Sequence, residues 1–173
     1  MQALKIIGMS ILAAVIYGIV HDQFTVRVCL EYFTIAHPKI FDTENPTLLA
    51  IGWGIIATWW AGLLVGIPLA IAAQVGKRPK HSAASLFIPM VIFLSILGAC
   101  AIAAGFFGWW LGGEYFLKLD HPLSREIPTS RHAVFLAAAS AHTASYVLGF
   151  LGGLILAVWT WKSRSRLPVP RSP

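Results

Sequence analysis

Charge is scarce in this chain. Asp, Glu, Lys and Arg make up 12% of its 173 residues, against about 25% in a typical soluble domain. Acid is scarcer still, with seven carboxylates against thirteen Lys and Arg. Cysteine is almost missing. Cys29 and Cys100 are the only two, and neither sits in a C-x-x-C, which argues against quinone-linked disulfide chemistry. The catalytic words are missing as well: no HExxH, no GxSxG and no P-loop. GWGIIA at 52–57 fits G-x-G-x-x-A only formally, because no strand precedes it. Asn45-Pro46-Thr47 has Pro where a glycosylation site forbids it. Rings of pore-lining charge, and broken helices in both halves, are also lacking, which argues against a channel or coupled transporter.

What the chain has in abundance is apolar length. Hydrophobic residues are 57% of it. A membrane span needs about 20 apolar residues to cross roughly 30 Å of hydrocarbon. Three stretches qualify: 47–73, 85–113, and 133–161, the last interrupted by His142 and some hydroxyls. The clean apolar run at the N-terminus, Ile6 to Val20, is shorter. No small-x-small cleavage pattern follows it, so it reads as an uncleaved first span.

The loops sort by charge. All seven acids (Asp22, Glu31, Asp42, Glu44, Glu114, Asp120, Glu126) fall in 21–46 or 114–132. Lys5, Lys77, Arg78, Lys80, Lys162, Arg164, Arg166 and Arg171 collect on the other side. Lys and Arg near span ends mark the cytoplasmic face. Both termini and the KRPKH turn are therefore expected to be cytoplasmic. The net charge of +6 is topological and does not point to nucleic acid. The tail KSRSRLPVPRSP reads as a basic strip near anionic lipid.

Two words recur. EYFTIAHP (31–38) and EYFLKLDHP (114–122) each open an acidic loop, and each loop ends in Pro-Thr before the next span. The expected fold is an all-α, integral membrane four-helix bundle of two tandem hairpins related by duplication. Residues 1–74 form the first hairpin, 75–83 a cytoplasmic basic turn, 84–161 the second hairpin, and 162–173 a cytoplasmic basic tail. Two spans per unit would put a pseudo-two-fold axis along the membrane normal. Glu, Tyr and Phe suit an interface anchor, His-Pro stops a helix, and Pro-Thr starts one. The alternative is a metal site in which His37, Glu114 and His121 converge, residue types that suit a divalent ion.

Aligning the two words sets residue n against n+83, which draws HDQFTVRVCLEYF into the first helix. His21-Asp22 then lie roughly 12–15 Å below Glu31, level with Trp59-Trp60 and His142-Thr143. Hydropathy alone places HDQ at the outer edge instead. Ionisable residues inside a membrane face a bundle interior or a water cavity. Candidate cofactor-binding residues are therefore His21, Asp22, Arg27 and Glu31 of the first helix, Arg27–Glu31 being an i,i+4 pair, with His142 of the fourth. Small residues recur every four positions: Ala133, Ala137, Ala141, Ser145, Gly149 and Gly153 in the fourth span, Gly62 and Gly66 in the second, and Ser95, Ala99 and Ala103 in the third. Such ladders let helix backbones approach. Trp53, Trp109 and Trp110 suit an outer aromatic belt, and Trp159 and Trp161 an inner one.

At GIVHDQFTVRVCLEYFTIAHP and NPTLLAIGWGIIATWWAGLLVGIPLA the chain resembles a family of uncharacterised bacterial four-span integral membrane proteins. The resemblance covers mainly residues 17–70, and it implies a bacterial inner (plasma) membrane without implying an activity. The functional expectation is a small binding protein with an outward-opening polar site for a metal, a haem or a small polar ligand. An enzyme using Asp22 or Glu31 as acid–base is a variant of that reading. The alternatives are an accessory subunit of a larger membrane complex and a small permease. The expected partners are the lipid bilayer and a second copy or larger complex, with no nucleic acid.

Overall fold

A computed structural model describes residues 1–114 and 125–166. Four helical spans account for it: α1 (Gln2–Val28), a second span broken into α3 (Pro46–Ile56) and α4 (Trp59–Gln74), α5 (Ala83–Glu114) and α6 (His132–Ser163). A short helix, α2 (Leu30–Thr34), follows α1. Among the described residues there is no strand. Each span is long and apolar enough to cross a membrane, as expected of an all-helical integral membrane bundle.

Local chemistry sets the ends of the elements. Pro46 opens α3, and the Asn45 side chain caps it by accepting from the Thr47 and Leu48 amides at 3.0 and 3.2 Å. α1 runs unbroken through His21-Asp22 to Val28, where Cys29 turns extended (φ −148°, ψ 99°). HDQ is thus helical, as the register of the two words implies, but α1 ends at Cys29, short of the EYF word that the same register would have carried into it. The interruption at Ala57–Thr58 has no proline and no sequence signal.

α1 packs along α3 and α4, α4 against α6, and α6 against α5, with α5 closing back toward α1. Glycine permits the closest approaches. A Cβ at Gly54 would lie 2.6 Å from the Ile19 backbone, and one at Gly112 would lie 2.7 Å from the Ala133 Cα. The α6 ladder faces inward. The expected α5 ladder does not, because Ser95, Ala99 and Ala103 are exposed. α5 buries Leu97, Ala101 and Gly108 instead, a face shifted by about half a turn. Trp53 is buried rather than in a belt, and Trp59 and Trp60 are about half exposed. The second EYF-HP word, apart from the backbone of Glu114, lies outside the described residues, as does the tail beyond Arg166.

Candidate functional site: a histidine–aspartate cluster between α1 and α6

α1 presents Tyr17, His21 and Asp22 toward α6, which presents His142. Tyr17 and His21, one turn apart, stack with ring centroids 5.7 Å apart. His142 is 8% exposed and Asp22 4%. The His142 Nδ1 lies 2.8 Å from the Ala138 carbonyl oxygen. A carbonyl only accepts, so Nδ1 carries its proton and donates. His142 Nε2 then faces Asp22 Oδ1 at 3.1 Å. Two acceptors cannot meet at that distance unless a proton or a cation lies between them.

His21 completes the cluster. Its ring meets that of His142 edge to face, with centroids 4.6 Å apart. Its Nε2 is buried without a hydrogen-bond partner; among the described residues the only other such side-chain atom is Thr160 Oγ1. Ligating atoms of His21, Asp22 and His142 all lie within 4.8 Å of one another. Their juxtaposition is the main finding, because 120 residues of chain separate the Asp from its histidine partner.

The extended residue at Cys29 redirects the chain so that α2 covers this cluster. Tyr32 and Phe33 bring their ring centroids to 4.5 and 5.7 Å from that of His142. His37 stacks on Phe33, meets Trp53 at 4.5 Å and donates from Nδ1 to the Tyr32 carbonyl at 2.7 Å. Burial pushes the His37 imidazole below its usual range and the Tyr32 phenol up to about 12. The loop side of the site, expected to be open, is thus covered by aromatic rings.

Glu31 and Arg27 stand away from the cluster. The helix ends between them, so the expected i,i+4 pair does not form. Arg27 bonds Gln23 and Thr47 Oγ1 instead. Glu31 accepts from Arg131 Nε and Nη2 at 2.9 and 3.1 Å, and this guanidinium holds its carboxyl below the ordinary range. Arg131 Nη2 also donates to the Val28 carbonyl at the end of α1. Glu31 and Arg131 therefore fasten the start of α6 to the α1–α2 corner. Of the proposed metal triad, His37 belongs to the aromatic cover, while His121 and the Glu114 side chain lie outside the described residues.

Below the cluster lies a partly open cavity of about 280 Å³. Its polar end holds His21, Asp22, His142 and Tyr17, whose hydroxyl lies 2.8 Å from Ser145 Oγ. Its remainder is apolar, with Leu64, Val65, Phe93, Leu94 and Leu97. Sequence reasoning did not assign Tyr17, Tyr32 or Tyr146 to a site. Only the spacing of Tyr17 and Tyr146, four residues from His21 and His142, carried a signal.

Comparison with protein-family models, curated proteins and solved structures finds no match. The chemistry must therefore be read from the donors. Two imidazoles and one carboxylate are a ligand set of zinc and of non-haem iron(II), leaving positions open. The His142 Nδ1–H bond to a backbone carbonyl is the outer-shell contact that orients a ligating histidine. Axial haem ligation needs a porphyrin plane between its two imidazoles. The edge-to-face contact of His21 and His142 leaves no gap for one, so haem does not fit this pair.

Proposed function

We propose that this integral membrane protein binds a divalent transition metal, zinc or iron(II), through His21 Nε2, the Asp22 carboxylate and His142 Nε2. One observation carries the reading. A buried, unpartnered imidazole nitrogen stands beside an imidazole–carboxylate pair that itself requires a proton or cation. Ionisable groups inside a membrane are expensive and mark functional sites by default. A cation shared by all three removes the orphan and the acceptor–acceptor clash together. The charge asymmetry of the loops supports cytoplasmic termini, and the resemblance of residues 17–70 supports a bacterial inner membrane. The two EYF-HP words support a duplication. A purely structural accessory subunit would leave the His21 orphan without a purpose.

The test is elemental analysis of protein purified in mild detergent and loaded separately with Zn²⁺ and Fe²⁺. One equivalent of either metal is expected, falling below a tenth in His21→Ala, Asp22→Asn and His142→Ala. A wild-type protein that retains neither metal refutes the reading.

A further inference from the structure

The cavity extends well beyond the three ligands, and its shape suggests what else enters. An apolar cavity of about 150 Å³ takes a benzene ring, so about 280 Å³ accommodates a polar head and several carbons beyond it. Four of its lining residues also face outward: Trp60 and Leu64 of α4, and Tyr146 and Phe150 of α6, each between 40 and 52% exposed. On a membrane span, an outward apolar surface faces lipid. Trp60 and Tyr146 stack at 5.9 Å, and the Tyr146 hydroxyl is tied to the Ala57 carbonyl where the second span breaks. The loop side is covered by Tyr32 and Phe33, and the exposed rim of the cavity lies on the lipid-facing sides of α4 and α6.

Charge narrows the occupant. A divalent ion with one carboxylate and two neutral imidazoles leaves one positive charge uncompensated in a medium where isolated charge is costly. An anionic oxygen on an open metal position would neutralise it. We infer that the cavity takes a single-chain carboxylate amphiphile from the bilayer, its carboxylate on the metal held by His21, Asp22 and His142, its chain along Leu64, Leu97 and Phe150. This rests on the metal reading above. Tyr17 and Ser145 stand at the junction of head and chain, as hydroxyls within reach of a carboxylate's second oxygen should.

Gly149 offers a clean probe. It lines the cavity, and a Cβ there meets only Leu97 Cδ2, at an ordinary 3.6 Å. Gly149→Leu should fill the cavity without touching the ligands. The experiment uses zinc-loaded full-length protein in nanodiscs, equilibrium dialysis against radiolabelled dodecanoate and dodecanol, and zinc analysis of the same samples. Wild type should bind about one equivalent of dodecanoate, and dodecanol at least tenfold more weakly. Gly149→Leu should keep its zinc and bind dodecanoate at least tenfold more weakly. Zinc-loaded wild type that ignores dodecanoate, or takes dodecanol equally well, overturns the amphiphile and leaves the metal standing. Unchanged binding in zinc-loaded Gly149→Leu also overturns it. Wild type that takes up neither zinc nor, loaded in its place, iron(II) overturns both. The dodecanoate–dodecanol comparison decides on wild type alone if the variant misfolds.

Discussion

Two buried polar centres, His142 within α6 and Arg164 at its C-terminal end, lie roughly 33 Å apart at a helical rise of about 1.5 Å per residue, and they are built on opposite principles. Arg164, 1% exposed at the basic end of the bundle, donates to four carbonyls: Pro79, Ala72, Val75 and Arg78, all at 2.7–2.8 Å. Those oxygens are the loose carbonyls at the end of α4 and in the basic turn, where Gly76 adopts φ +92°. The guanidinium acts as a C-cap that ties the turn to α6. Every polar atom it meets is an acceptor, and each of its three nitrogens has a partner. At His21–Asp22–His142 the donors are too few. A nitrogen stays unpartnered, and His142 Nε2 meets Asp22 Oδ1 across a contact that needs a proton or a cation. A satisfied centre holds the fold, while a centre short of one cation is suited to taking one up.

That contrast can be broken most sharply at Arg164. Arg164→Met should strip four carbonyls of their charged donor and cost about 3 kcal/mol. A thermal-unfolding series in detergent would read this as the largest loss of any single change considered. Zinc binding per folded molecule should be unaltered. Asp22→Asn should do the reverse. The Asn amide can donate to His142 Nε2, so the unfolding midpoint should move by no more than about 1 kcal/mol, while metal content falls at least tenfold. If Asp22→Asn destabilised as much as Arg164→Met, the cluster would be a structural bond and the contrast would fail.

The smallest effect belongs to the corner outside the spans. Glu31→Gln removes a partly exposed ion pair with Arg131 and should cost below about 1 kcal/mol. Its sign with pH is fixed. The Glu31 carboxyl is held low in the folded state, so its stabilisation is present above the unfolded carboxyl range and is lost as pH falls through the folded one. His37 acts in the same direction. Burial lowers it, the unfolded chain binds the proton more readily, and stability falls as pH drops below about 6.5. Stability measured between pH 8 and 4 should decline, and Glu31→Gln should flatten the acid part of the curve.

The sequence by itself determined the class. Apolar runs of span length leave no other solvent for these helices than lipid or one another, and the structure has four of them. It also made His21, Asp22 and His142 conspicuous by composition, but it left two placements of HDQ open, inside the first helix or at its outer edge, and the tertiary structure has it helical. Tertiary structure decided which of these residues meet. Arg27 and Glu31 looked equally eligible, yet a single extended residue at Cys29 rotated Glu31 away to Arg131 and swung Tyr32 over His142. The inward face of α5 was ambiguous for a related reason. An all-apolar helix has no amphipathic stripe, so only packing chooses its buried side. The break at Ala57–Thr58 is held by a contact between helices, the Tyr146 hydroxyl on the Ala57 carbonyl. Local pattern reports what each helix prefers, and only helices packed together report which unpaired nitrogen has an empty space in front of it.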